Sequence, residues 1–134
     1  MSNSDLFQKV KKLQLPQGEY ALFGSAPLGI RGLKECNDID IIVTQKLWEE
    51  LKNKSWKIKI APHGSEYFEY DEMEFWKDWR PGEWNIDELI QAAEIIEELS
   101  FVGLEQVLKW KKMMAREKDF KDIKRIEEFL QKIQ

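Results

Sequence analysis

The segment Asp38-Ile39-Asp40-Ile41-Ile42-Val43 most narrowly limits what this chain can become. Ile39 to Val43 reads as a short buried strand, yet Asp38 and Asp40 alternate with its apolar residues. Side chains alternate across a strand, so Asp38 and Asp40 project from one face and Ile39, Ile41 and Val43 from the other. At a rise near 3.3 Å per residue the two acids start about 6–7 Å apart. Like charges at that spacing repel unless something positive lies between them. A divalent magnesium ion suits the gap, because it takes hard oxygen ligands and completes its shell with water and substrate phosphates.

Fifteen residues earlier, the apolar strand Tyr20 to Phe23 ends at Gly24-Ser25. A glycine between a strand and a helix N-terminus lets backbone amides approach a phosphate, and a serine hydroxyl adds a donor. Ser25 is expected to cap a helix from Ala26 to Glu35, with Pro27 tolerated in its first turn. Gly29 and Gly32 within that helix cost about 1 kcal/mol each relative to alanine, which suggests close approach to its backbone. Arg31, about two turns in, could reach a phosphate or pair with a carboxylate.

The other elements follow from periodicity. Asp5 to Leu15 reads as a helix stopped by Pro16 and Gly18, and Gln45 to Lys52 as a short helix. Trp56 to Ile60 alternates in period two, with Trp56, Ile58 and Ile60 on one face. Glu66 to Trp76 suits two short strands or one bent strand, and Arg80-Pro81-Gly82 is a break. Helices are expected over Asp87 to Leu99, Leu104 to Arg116 and Asp119 to Ile133, the last with Phe120, Ile123, Ile126, Phe129 and Leu130 on one stripe. The expected fold is α+β, close to α/β. One domain over 1–134 would hold a small mixed sheet at about 18–80, with helices packed on one side, and a helical C-terminal part at about 86–134.

Composition removes whole classes. The 134 residues are 43% hydrophobic and 34% charged, unlike a disordered or collagenous chain. No apolar run approaches the roughly 18–20 residues of a membrane span, and the N-terminus lacks the apolar stretch of a secretory signal. A single cysteine excludes an internal disulfide and a zinc cluster, so a cytoplasmic setting is expected. A net charge of −4 argues against a generic nucleic-acid coat. The charge is segregated, however. Glu66 to Glu98 holds 12 acidic residues against Lys77 and Arg80, while Lys109 to Arg125 holds 8 basic ones against three acids. An acidic, metal-holding wall could face a basic, phosphate-holding one.

The set Phe23-Gly24-Ser25 with Asp38-Ile39-Asp40-Ile41 resembles the signature of the nucleotidyltransferase superfamily typified by DNA polymerase beta. Its small members include minimal nucleotidyltransferases and the aminoglycoside and lincosamide enzymes. The resemblance implies a third carboxylate from a neighbouring strand; Glu74 in Met73-Glu74-Phe75 has the right form, with Glu69 and Glu72 as alternatives. Lys118-Asp119-Phe120-Lys121-Asp122 resembles the Lys-Asp-x-x-Asp segment opening the last helix of lincosamide-type and toxin–antitoxin members. The implied activity is magnesium-dependent transfer of a nucleoside monophosphate from a nucleoside triphosphate to an acceptor hydroxyl on a small molecule, protein or RNA. Asp38, Asp40 and Glu74 would hold one or two magnesium ions, Gly24 and Ser25 the terminal phosphates, and Arg31 and Lys118 would assist triphosphate binding. A homodimer or a partner protein could complete the cleft. The alternative is a non-catalytic antitoxin or regulatory module that keeps the fold. A nucleic-acid-binding domain using the basic C-terminal helix is disfavoured by the overall charge.

Among the remaining residues, His63 sits in a turn and reads as exposed, and Cys36 reads as a bystander near the site. Trp48, Trp56 and Trp110 fit core positions. Trp76, Trp79 and Trp84 flank the Pro-Gly turn, where they could stack a ring or stabilise a small domain.

Overall fold

The computed structural model describes residues 1–133. Helix α1 (Asn3–Lys12) begins two residues before the expected start, because Ser2 and Asp5 form a capping box and satisfy each other's backbone amides. It buries Leu6, Phe7 and Val10. Strand β1 (Tyr20–Phe23) is buried along its whole length. Helix α2 (Ala26–Gly29) is one turn rather than three. Its last residue explains the shortening: a Cβ on Gly29 would fall 2.5 Å from the Cys36 sulfur, and Gly32 turns the chain at φ +73°. The glycines therefore admit a returning loop instead of lining a helix.

Strand β2 (Ile39–Val43) and helix α3 (Gln45–Leu51), capped by the Thr44 hydroxyl, match expectation closely. Three strands follow: β3 (Lys57–Ile60), β4 (Glu66–Tyr70) and β5 (Met73–Trp76). The turn between the last two is Asp71-Glu72, both at positive φ, the backbone of a tight two-residue hairpin. The alternating face expected of Trp56 to Ile60 is not buried. Lying at the sheet edge, β3 leaves Ile58 49% and Ile60 72% exposed, while only Trp56 packs on the core.

The largest departure lies between Asp87 and Phe101. Helix α4 (Ile86–Gln91), capped by Asn85, stops early, and a hairpin of β6 (Glu94–Ile96) and β7 (Leu99–Phe101) replaces its expected second half. Glu97 and Glu98 form the hairpin turn at positive φ. The β-branched pair Ile95-Ile96 suits a strand, and pairing β7 to β1 satisfies backbone groups that a longer helix would leave open. Helices α5 (Leu104–Met114) and α6 (Glu117–Lys132) complete the chain. On α6 the expected stripe is rotated: Phe120 is 57% exposed, and Asp119, Asp122 and Ile126 face inward.

The fold is α+β, as expected, but the sheet is larger than expected, with seven strands in the order β3-β4-β5-β2-β1-β7-β6. β2 is antiparallel to β1 and parallel to β5, and β1 is parallel to β7. Helices cover both faces rather than one. α1 and α3 pack on a core including Leu22, Ile39, Ile41, Phe68 and Phe75. α4, α5 and α6 pack on a second core including Phe23, Ile42, Trp79 and Val107. This division follows from side-chain alternation: successive residues of the central strands feed opposite layers. No described helix is long and apolar enough to cross a membrane.

Candidate active site

Strand register assembles the site. Phe23 pairs with Asp40, Asp40 with Glu74, and Glu74 with Glu69, so these four side chains form one row across the face that carries α4–α6. Three carboxylates thus stand on adjacent strands, whose backbones lie about 4.8 Å apart. Their apolar neighbours Ile39, Ile41, Met73 and Phe75 point into the opposite core.

Gly24 abuts this row. It lies at φ +60°, and a Cβ built on it would come 2.5 Å from Asp40 Oδ2. Glycine is required twice there, for the left-handed backbone and for the space the carboxylate fills. Ser25 begins α2 but forms no side-chain cap, against expectation. Among the described residues its hydroxyl has no hydrogen-bond partner, and its carbonyl accepts from the amides of Leu28 and Gly29.

The carboxyls feel both burial and one another. Burial pushes Asp40 well above the ordinary carboxylate range, and the charges of Asp38 and Glu74 add to the rise. Glu74 is raised mainly by burial, with Asp38 and Glu69 contributing and a shared hydrogen bond with Asp40 opposing. Burial also raises Asp38, although its own backbone amide and the ammonium of Lys118 pull the other way. Burial and mutual repulsion thus act in the same direction on Asp40 and Glu74, disfavouring two bare charges side by side. The indole N–H of Trp76 is buried without a partner in hydrogen-bond geometry, yet its dipole favours the ionised form of both acids.

The alternatives for the third acid separate cleanly. Glu74 is in the row beside Asp40. Glu69 is next along, but Lys59 reaches it at 2.8 Å. Glu72 sits in the positive-φ turn and pairs with Lys9 at 3.3 Å, outside the row. Lys118, in the first turn of α6, lies near enough to Asp38 to act on its charge. Arg31 does not join the site: it pairs with Glu94 at 2.7 Å, donates to the Pro27 carbonyl and lies over the Phe129 ring.

Sequence reasoning did not anticipate what holds the approach to Asp38 in place. Asp119 and Asp122 of the Lys-Asp-x-x-Asp segment are buried, and so is Lys111, which reaches Asp122 at 3.0 Å and Asp119 at 3.6 Å. Lys34, in the loop leading to Asp38, meets Asp122 at 2.7 Å. Burial alone would raise both aspartates. The hydrogen bonds of Arg116 to Asp119, and of Lys34 and Lys111 to Asp122, outweigh it and hold both below their usual values. The motif thus works as a clamp between the last two helices and the loop before β2. An inward charge at i and i+3 on α6 was the available signal. Cys36, in the same loop, is buried, its thiol pushed up to about 11 chiefly by burial.

Aromatic rings form the flank. Trp79 stacks on Phe23 at 4.6 Å, and Trp84 meets Phe23 edge-on at 5.9 Å. Trp76 stacks on Tyr67 at 4.3 Å, beside exposed His63. Trp48 and Trp110 are buried, as expected.

Among the described residues no three His, Cys, Asp or Glu side chains are gathered at ligand spacing. Magnesium is nevertheless compatible with the donor set. It commonly takes only one or two protein carboxylates, and Asp40 with Glu74 offers hard oxygens whose mutual repulsion a cation would relieve. Comparison with family models, with curated proteins and with solved structures returns no match to this chain.

Proposed function

We propose that the protein is a nucleotidyltransferase, moving a nucleoside monophosphate from a nucleoside triphosphate to an acceptor hydroxyl and releasing pyrophosphate. The observation carrying this reading is the packing of Gly24 directly against Asp40, with Glu74 beside it in register. The strand-to-helix bend and a carboxylate pair thus meet directly. Asp40 and Glu74 would hold magnesium, with Asp38 as the nearby third acid of the expected set; the ion's chemistry is to neutralise phosphate charge and stabilise the charge that develops during displacement.

The protein's own groups supply the rest. The Ser25 hydroxyl, half-buried and without a partner among the described residues, would donate to a terminal phosphate oxygen. α2 has only four residues, so these local donors, not a helix macrodipole, would bind the anion. Glu74, beside Asp40 in the row, would be placed to accept the proton of the acceptor hydroxyl. Lys118 adds positive charge on the side of Asp38. The covering rings of Trp79 and Phe23 lower the local dielectric, which strengthens each of these interactions.

The test is transfer of label from α-phosphate-labelled nucleoside triphosphates, with magnesium, into acceptors of a cell extract. A labelled product that disappears with Asp40→Asn supports transfer. No product, together with no nucleotide binding, favours a non-catalytic module instead.

A further inference from the structure

A cavity of about 850 Å³ opens between α4, the β6–β7 hairpin and the paired helices α5 and α6. None of Gly24, Ser25, Asp38, Asp40, Glu74 or Lys118 lines it. Its volume lies within the range of small-molecule sites. Leu104, Phe129, Leu130 and the ring of Trp84 provide the apolar wall.

The charges on this wall are unevenly matched. Glu94 already holds Arg31 at 2.7 Å, which neutralises that guanidinium. Glu83, Glu88 and Glu105 also line the cavity and form no salt bridge among the described residues. The remaining basic group is Lys109, whose ammonium lies 5.3 Å from the centre of the Trp84 ring. Three unpaired carboxylates therefore face one ammonium. The Trp84 ring already carries that ammonium over one face, so this aromatic wall accepts positive charge.

We propose that this cavity is a binding site for a small organic cation with a flat apolar body, such as an aromatic amine. The body fills the space between Trp84, Leu104 and Phe129, and the ammonium is held by the carboxylates of Glu88 and Glu105. An anion of the same shape meets net repulsion. The site is separate from the acidic row, so this inference does not depend on nucleotide transfer.

Calorimetric titration with tryptamine, and in parallel with indole-3-acetate, tests it. Tryptamine should bind at least tenfold more tightly than the acid. The Glu88→Gln/Glu105→Gln double variant, both positions being exposed, should weaken tryptamine at least tenfold while melting like the native protein. Asp38→Asn/Asp40→Asn should bind tryptamine as the native protein does. Equal binding of amine and acid, unchanged affinity in the glutamine variant, or no binding of tryptamine at millimolar concentration would overturn the proposal.

Discussion

Replacing Asp40 by asparagine should make the folded protein more stable while removing the proposed activity. Asp40 stands between Gly24 and Glu74 in a row of acids, and burial together with its neighbours' charges raises its pKa well above the ordinary value. Two charges about 5 Å apart at an effective dielectric near 20 repel by about 3 kcal/mol. Partial hydration reduces that figure, so the expected gain at pH 7.5 is about 1–3 kcal/mol. For a domain of this size the melting point should rise by roughly 3–5 °C per kcal/mol. The gain has a definite pH dependence. A carboxyl whose folded pKa is raised loses stability as pH climbs from its unfolded value, near 3.8, through the folded one. The advantage of Asp40→Asn should therefore be small near pH 4 and grow toward pH 8. Urea melts of both proteins at several pH values, without divalent ions, measure it. A variant less stable at every pH would refute the claim that these carboxylates strain the fold.

Gly24→Ala should cost about 1–2 kcal/mol for the left-handed backbone and abolish nucleotide binding by displacing Asp40. Gly32→Ala, at φ +73° with open space around it, is the control and should leave binding intact. Lys111→Met removes the cation between two buried aspartates and should destabilise by about 3–5 kcal/mol in urea melts, with Asp122→Asn recovering part of the loss. Asp119 and Asp122 have depressed pKa values, so the stability they provide is complete above their unfolded value and disappears as pH falls below about 4. An acid melt in which Asp119→Asn/Asp122→Asn lacks that transition checks this.

What the sequence disclosed and what it concealed have separate physical origins. The placement of Asp40 was legible because alternation in a buried strand leaves few options: with Ile39 and Ile41 in one core, Asp40 must face the other way, whereas Asp38 lies just before β2 and outside the row. Gly24 was legible for a similar steric reason. Register was not. The choice of Glu74 over Glu72 depends on β5 pairing in parallel with β2, and no local pattern encodes a long-range pairing. The β6–β7 hairpin was missed because Leu89, Ile90, Ala93, Ile95, Ile96 and Leu99 also fit a helical stripe. The non-glycine turn Glu97-Glu98 has none of the usual Asn-Gly or Asp-Gly chemistry. Phe120 left its expected buried place because α6 turns Asp119 and Asp122 inward, where Lys111 and Lys34 meet them. Tertiary charge pairing overrode apolar periodicity there. Membership of the nucleotidyltransferase superfamily remains part of the proposal, resting on Gly24, Ser25, Asp38, Asp40 and their geometry.

The decisive measurement is calorimetric titration of a non-hydrolysable ATP analogue into the native protein and into Asp38→Asn/Asp40→Asn, each with and without magnesium. The account predicts binding by the native protein that requires magnesium and is lost in the variant. Magnesium-independent binding, equal binding by both proteins, or none by either would contradict it.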